Sequence, residues 1–267
     1  MQLFFRKEGI GTPLIILHGL YGASDNWFAI AKKLSERYTV FSVDLRNHGQ
    51  SPHHDDHTFA AMKADLVQFF DTHHIETAAL LGHSMGGKVA MAFAADFPER
   101  VTNLMVVDIA PKNYLTHGEE SQYPLHRNIL TAMLEINFDY VDSRQQVEEN
   151  LSLKIDNARI RQFLMKNLIV DKAGKPLRWK LNLGALYDNL EEIVGGGDYK
   201  LFEDRLPITT YPVRFIRGLA SNYIQESDLE LIKRIYPDAQ IVDIPNAGHW
   251  LHAEQPDLFM QAVLRCC

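Results

Sequence analysis

A serine with glycines two residues before and two residues after it is the first candidate for chemistry in this sequence. The segment Gly82-His83-Ser84-Met85-Gly86 has the pattern G-x-S-x-G, in which the serine is typically a nucleophile on a strained turn. The two outer positions must be small because the turn brings neighbouring backbone very close. We therefore predict that Ser84 attacks an acyl carbonyl; taken alone, the pentapeptide is also compatible with a chance match in a turn.

A serine nucleophile needs a base, and the loop Asn246-Ala247-Gly248-His249-Trp250 offers one near the end of the chain. An imidazole there takes the serine proton and returns it to the leaving group, which contributes roughly 10²–10⁴-fold to the rate. We predict His249 as this base. His83, as the immediate neighbour of Ser84, is expected to point away from it and to have a structural role.

The acid that orients the histidine has two candidates. In the usual order Ser…Asp/Glu…His it follows the strand before the last one, but the loop there, Gly218-Leu219-Ala220-Ser221-Asn222-Tyr223, has no carboxylate. Asp108 ends an earlier strand at the same sheet edge, and we predict that it holds the histidine tautomer. Asp228 is the alternative acid. The non-catalytic alternative for Asp108 is that it only caps the chain where the chain leaves the sheet.

The charge that develops on the carbonyl oxygen needs two N–H donors. We predict the backbone N–H groups of Met85, just after the nucleophile, and of Leu20, in the glycine-containing loop His18-Gly19-Leu20-Tyr21-Gly22. A plain strand-to-helix turn is the alternative for that loop. Leu20 and Trp250 are also predicted to contact the substrate.

The elements that must position these residues alternate along the chain. Short apolar runs typical of strands buried in a parallel sheet lie at 13–17, 38–45, 77–81, 102–109, 211–217 and 240–244. Segments with helical spacing lie at 24–36, 58–73, 84–97, 226–235 and 256–264. The order predicts an α/β fold with a doubly wound, mostly parallel sheet. It also places Ser84 between a strand and a helix, as the nucleophile motif requires.

The alternation stops in the middle of the chain, where residues 112–205 are helix-prone, rich in charges and without a convincing buried strand. We predict that residues 1–111 and 206–267 form the sheet domain and that 112–205 form a helical cap inserted into it. Four aromatic residues of this segment either line an acyl pocket or form the core of the cap: Phe138, Tyr140, Trp179 and Tyr187.

Composition limits the partners. The formal net charge is −7, and the sequence has no concentrated basic stripe. We therefore expect no nucleic-acid partner. No run approaches the roughly 20 apolar residues of a membrane span, and residues 1–7 lack the order of a signal peptide. Cys266 and Cys267 cannot staple the fold. We expect a cytoplasmic enzyme, a monomer or homodimer, that acts on a small-molecule substrate.

Two clusters resemble ligand sites, but a surface role is favoured for both. His53-His54-Asp55-Asp56-His57 lacks the spacing of a metal site and is interpreted as a solvated loop, so neither a metal nor another cofactor is predicted. A basic cluster that flanks Gly174 either meets a CoA phosphate or forms a solvated face; its members are Lys172, Lys175, Arg178 and Lys180.

These motifs resemble, in order and spacing, those of the bacterial YbfF-type esterases of the α/β-hydrolase superfamily. The segments that carry the resemblance are HGLYG, VDLRNHGQSP, GHSMGG, VVDIAP and AGHWLHAEQP. The resemblance implies an esterase for short acyl esters and acyl-CoA thioesters, with the acid after the earlier strand, in agreement with Asp108. Asn47 stands where most members of the superfamily have glycine, and asparagine also tolerates the left-handed backbone of such a turn.

Other functions remain open at this point. Carbon–carbon bond hydrolases and lyases share the Ser, His and Asp set, so the motifs do not separate them from an esterase. A binding protein without catalysis is the alternative of a different class, although such proteins usually lose one of the reacting groups. An aspartate nucleophile, as in haloalkane and epoxide chemistry, is disfavoured by Ser84.

Overall fold

Nine strands occur in the computed structural model, which describes residues 1–115, 121–169 and 177–264. They are β1 (Phe5–Glu8), β2 (Thr12–Leu17), β3 (Tyr38–Val43), β4 (Ala78–His83), β5 (Val101–Val107), β6 (Leu168–Ile169), β7 (Arg178–Trp179), β8 (Val213–Gly218) and β9 (Gln240–Ile244). Seven form one sheet in the order β1-β3-β2-β4-β5-β8-β9. All neighbours in it are parallel except β1, which pairs antiparallel with β3.

The central strands are apolar on both faces because helices cover both sides of the sheet. β4 is buried along its whole length, and the last four residues of β2 are buried as well. Such strands read as continuous apolar runs, which is why the sequence predicts them well. The predicted doubly wound, mostly parallel α/β sheet is confirmed.

The helices of the described residues number eleven. They are α1 (Phe28–Leu34), α2 (Phe59–Thr72), α3 (Met85–Asp96), α4 (Tyr123–Leu134), α5 (Arg144–Ser152), α6 (Ala158–Leu164), α7 (Leu183–Asp188), α8 (Leu190–Gly195), α9 (Asp228–Ile235), α10 (Leu251–Glu254) and α11 (Pro256–Leu264). α3 packs on β4 and β5, so the first turn after β4 faces the carboxyl edge of the sheet. No helix within the described ranges combines the length and the apolar character needed to cross a bilayer.

Strand β1 and the short pair β6–β7 were not predicted from the sequence. β1 reads FRKE and is an edge strand of four residues, so it lacks the apolar run by which buried strands are found. β6 and β7 form an antiparallel pair of two residues each, which is too short for any periodicity. The expectation that the middle segment holds no buried strand is therefore wrong at Leu168 and Trp179, both of which are buried.

The middle segment contains α4 to α8 and rests on the loops of the sheet edge. The side-chain amide of Asn167 donates to the carbonyl of Tyr21 at 2.8 Å, and the N–H of Asn182 donates to the carbonyl of Asn47 at 3.1 Å. The division into a sheet domain and a cap at 112–205 stays a prediction. Lys172, Gly174, Lys175, Cys266 and Cys267 lie outside the described residues.

Candidate active site

Ser84 lies on the turn between β4 and α3 in a backbone conformation that few residues adopt. Its φ is 53° and its ψ is −120°, and such strain is found mostly at functional sites. A Cβ on Gly82 would lie 2.3 Å from the carbonyl oxygen of Gly86, and one on Gly86 would lie 2.4 Å from that of Leu17. The spacing of the two glycines therefore has the steric cause that the motif implies.

The structure brings the predicted nucleophile, base and acid together. His249 Nε2 is 3.0 Å from Ser84 Oγ, and His249 Nδ1 is 2.8 Å from Asp108 Oδ2. With the imidazole proton on Nδ1, the ring donates to the carboxylate and accepts the serine hydroxyl proton. This arrangement can move a proton from Ser84 to His249 without any change of side-chain position.

Asp108 follows β5 and is completely buried, at a positive φ of 49°. The N–H of Gly218 donates to its Oδ1 at 3.0 Å, and the hydroxyl of Ser221 donates to its Oδ2. The loop in which a carboxylate is usual thus supplies two donors to the carboxylate of the neighbouring strand. Asp228, the alternative acid, instead binds Lys112 Nζ at 2.8 Å.

Two backbone N–H groups beside Ser84 remain available for a developing oxyanion. Among residues 1–115, 121–169 and 177–264, no acceptor pairs with the amide of Leu20 or of Met85. A Cβ on Gly19 would lie 3.0 Å from Ser84 Cβ, so the loop approaches the nucleophile as closely as its backbone allows. These are the two donors predicted from the sequence, and their catalytic role remains a prediction.

A buried histidine shapes the loop that carries Leu20. Tyr21 has a φ of 63°, and its N–H donates to His48 Nε2 at 3.2 Å. His48 Nδ1 in turn donates to the carbonyl of Arg46 at 2.9 Å. Asn47 has a φ of 66°, so it forms the left-handed turn that was expected of it. That turn positions His48, whose contact with this loop was not predicted from the sequence.

Three residues surround the base. His83 Nε2 donates to the carbonyl of His249 at 2.8 Å, which gives His83 the structural role expected of it. The Tyr223 ring stacks on the His249 imidazole, with centroids 3.7 Å apart and an angle of 15°. The Tyr223 hydroxyl lies 3.1 Å from His126 Nε2. Burial, together with the charge of His249, lowers the pKa of His126 to about 4, so His126 is neutral near pH 7.

Tyr223 and His126 were not singled out as functional from the sequence. Tyr223 belongs to the loop that was searched only for a carboxylate, and His126 lies on α4 in the middle segment, distant from every motif. The only available signal was the position of Tyr223 two residues after Ser221, and that signal does not predict stacking on a histidine.

Two cavities open at Ser84. The larger has a volume of about 180 Å³ and a mostly apolar wall that includes Trp250, Leu125, Ile129, Ile160, Phe163 and Leu164. The smaller has a volume of about 30 Å³, and its wall includes Met85, Lys88, Ile109, Tyr114, Ile193 and Val194. Leu20 borders both. Leu20 and Trp250 both border the larger cavity, and their contact with a substrate stays a prediction.

The aromatic residues that were candidates for an acyl pocket lie elsewhere. Phe138, Tyr140, Trp179 and Tyr187 border neither of these cavities, so the pocket-lining interpretation is wrong. Phe138 and Trp179 form an edge-to-face pair with centroids 5.9 Å apart, and Tyr140 is 85% exposed. Apolar residues of α4 and α6, among them Leu125, Ile129 and Phe163, line the large cavity instead.

The histidine-rich loop is solvated at His53 to Asp56 but not at its end. His57 is completely buried; its Nδ1 is 3.2 Å from the Asn47 side-chain amide, and its Nε2 is 3.4 Å from Met85 Sδ. Burial lowers the pKa of His57 to about 3. The expected solvated loop is therefore wrong for His57, which supports the turn at Asn47. In the described part of the chain, no three His, Cys, Asp or Glu side chains are arranged to hold a metal.

Lys88 is a buried cation one turn after the nucleophile. Its Nζ donates to three backbone carbonyls, those of Lys112, Val194 and Gly196. Two of these belong to the C-terminal end of α8, where a cation is favourable. Lys88 thus joins the helix that follows Ser84 to the segment that covers the site.

Lys88 makes the stability of the protein depend on pH. Burial lowers the pKa of Lys88 to about 7, against the attraction of Asp198 and Glu192, whereas an unfolded lysine has a pKa near ~10.4. Between these values the unfolded chain holds more protons, so the free energy of unfolding rises with pH. We expect the free energy of unfolding of wild type, measured with urea, to rise relative to that of Lys88→Met between pH 6.5 and pH 9.

Taking the difference between the two proteins removes the contribution of every group that titrates alike in both. A difference that stays constant over this range would mean that the carbonyls keep Lys88 charged in the folded protein throughout.

The geometry agrees with the comparisons to known proteins. The family model described as alpha/beta hydrolase fold matches residues 12–256. The chain is 32% identical to esterase YbfF of Escherichia coli over 95% of this chain and 92% of that protein. It is 36% identical to the sn-1-specific diacylglycerol lipase ABHD11 of Danio rerio over 97% of this chain and 80% of that protein. A solved structure, a marine microorganism esterase, has a TM-score of 0.92 and 43% identity, and the match covers 100% of this chain and 99% of that one. With its G-x-S-x-G turn on a parallel sheet, the chain belongs to the α/β-hydrolase family and is of the YbfF type.

Proposed function

We propose that this protein hydrolyses short-chain acyl esters, and acyl-CoA thioesters, through an acyl-enzyme on Ser84. That it is a carboxylic ester hydrolase accords with its relatives, which are named esterase and lipase. The finer assignment depends on one observation above all: His249 lies within hydrogen-bond distance of both Ser84 and Asp108. A protein that only binds a ligand has no need of this arrangement beside two open cavities.

The proposed reaction has two similar halves. His249 Nε2 takes the proton of Ser84 as Oγ attacks the carbonyl carbon, and the N–H groups of Leu20 and Met85 bind the resulting oxyanion. The carbonyl then re-forms, the bond to the alcohol or thiol breaks, and His249 gives its proton to the leaving group. Water attacks the acyl-enzyme in the same way and releases the acid. Asp108 stabilises the imidazolium in both halves.

Covalent trapping tests this proposal. We expect one molecule of a fluorophosphonate probe to label each wild-type chain. We also expect p-nitrophenyl acetate to leave an acyl group on the peptide that contains Ser84. Ser84→Ala should not be labelled, whereas Ser152→Ala, which changes an exposed serine on α5, should be labelled like wild type. Equal labelling of Ser84→Ala and wild type would exclude Ser84 as the nucleophile.

Two further assays separate the finer parts of the proposal. Release of free thiol from acetyl-CoA tests the thioester activity, and its absence in an enzyme that cleaves acetate esters would remove thioesters from the proposal. Product analysis with a diketone substrate tests carbon–carbon bond cleavage, and faster turnover of the diketone than of any ester would replace the ester proposal.

A further inference from the structure

The two cavities at Ser84 differ strongly in size. They share Leu20, Ser84, His126 and Tyr223 at their junction, so a carbonyl carbon bound at Ser84 Oγ would have one cavity on each side. A water-sized group needs about 10–15 Å³ of such volume. The cavity of about 30 Å³ therefore holds about two such groups by this measure, and the one of about 180 Å³ holds on the order of ten.

The position of the base decides which half of the ester enters each cavity. His249 borders the large cavity and does not belong to the wall of the small one. The oxygen of the leaving alcohol must receive its proton from His249, so it has to lie within hydrogen-bond distance of the imidazole. The alcohol therefore extends into the large cavity. The acyl chain is left with the small cavity, beside Met85 and Ile109.

The wall of the small cavity also limits the charge of the acyl group. Lys88 is the basic side chain on this wall, and its Nζ is already bonded to three backbone carbonyls. A carboxylate on the acyl group would have to displace a carbonyl that holds α8 in place. The remaining wall is mostly apolar, with Ile109, Ile193 and Val194, and its polar side chains such as Gln122 and Tyr114 are uncharged. A charged acyl group would therefore lose more hydration than this wall can replace.

From this geometry we infer that the enzyme is selective for esters of a short, uncharged acid, acetyl or propionyl, with a larger apolar alcohol. The inference rests on the proposed function, since it takes Ser84 as nucleophile and His249 as the proton donor to the leaving group. Selectivity arises on the acyl side because the cavity there has room for only about two small groups. The alcohol side tolerates many chain lengths because its cavity is about six times larger by these volumes.

Two isomeric esters test the inference. Hexyl acetate and ethyl hexanoate have the same composition and differ only in the position of the carbonyl. We expect kcat/KM for hexyl acetate to exceed that for ethyl hexanoate by at least about 10-fold, because each methylene that a pocket rejects changes kcat/KM by roughly that factor or more. Equal values, or a preference for ethyl hexanoate, would overturn the inference and leave the esterase proposal intact.

Failure of the proposed function has a different signature. If neither ester is cleaved and the fluorophosphonate probe does not label Ser84, the esterase proposal fails, and the present inference fails with it. A succinate half-ester of hexanol provides the charge test: its turnover should be lower than that of hexyl butyrate, which has an acyl chain of similar length. Faster turnover of the half-ester would show that the small cavity accepts an anion.

A pair of matched variants locates the selectivity. Ile193→Ala enlarges the small cavity and should raise kcat/KM for ethyl hexanoate relative to hexyl acetate by about 10-fold, the value of about one methylene. Leu164→Ala likewise shortens an aliphatic side chain, but it enlarges the large cavity. It should therefore not raise the ratio of the two kcat/KM values in favour of ethyl hexanoate. If Ile193→Ala does not fold, Ile193→Val applies the same test with a smaller expected shift. The same shift from Leu164→Ala would overturn the assignment of the two cavities.

Discussion

Ser84→Ala is expected to lower kcat by about 10⁶-fold, the loss that removal of a serine nucleophile can cause in a triad enzyme. Without Oγ no acyl-enzyme forms, so water would have to attack the bound ester directly. Only the donors of the oxyanion site and binding would then still contribute. Steady-state hydrolysis of p-nitrophenyl acetate, compared with the uncatalysed rate in the same buffer, measures the effect.

The fold should survive this substitution. Alanine at this position meets the same backbone strain as serine, and the hydrogen bond from the N–H of residue 84 to the carbonyl of Val107, 2.9 Å in this structure, does not involve the side chain. The thermal unfolding midpoint should therefore stay close to that of wild type. Turnover within 10-fold of wild type, in a preparation that the probe does not label, would mean that another residue carries the chemistry.

Asp108→Asn is expected to lower kcat by about 10⁴-fold, the scale of the loss when a triad histidine is held in the wrong tautomer. An asparagine amide in place of Oδ2 would donate to His249 Nδ1 and put the imidazole proton on Nε2, where it cannot accept from Ser84. Asp228→Asn serves as the matched control, since Asp228 contacts Lys112. It should change kcat little.

The donors to Asp108 give a graded version of the same test. Ser221→Ala removes one hydrogen bond to the carboxylate and keeps the carboxylate itself, so its effect on kcat should fall between those of Asp228→Asn and Asp108→Asn. A larger loss for Asp228→Asn than for Asp108→Asn would mean that the acid had been assigned to the wrong loop.

Local sequence was sufficient to predict the elements that carry the site. The strand before Ser84, the turn at Ser84 and the helix after it are contiguous, and each leaves a pattern within a few residues: a buried apolar run, two obligatory small residues and an alanine-rich helix. The left-handed turn at Asn47 was instead expected from the family resemblance, in which glycine is usual at this position. The parallel sheet follows from the alternation of such units, because buried strands are apolar on both faces.

Asp108 was preferred to Asp228 from the sequence because it ends a strand at the same sheet edge, but the contacts of its carboxylate depended on tertiary structure. Sheet order decides, because β5 and β8 are neighbours and the loop after β8 therefore reaches the carboxylate at the end of β5. The donors Gly218 and Ser221 are 110 or more residues away from Asp108 in sequence.

The surroundings of the base and the two cavities were also decided only by the tertiary structure. His126 and Tyr223 meet at Ser84 although 97 residues separate them along the chain. A pocket is the space left between helices and loops from distant segments, and its size depends on how those segments pack. Sequence periodicity reports which face of a helix is buried. It does not report what that face meets, so the aromatic residues of the middle segment were apparent in the sequence, but the residues of this segment that line the cavities were not.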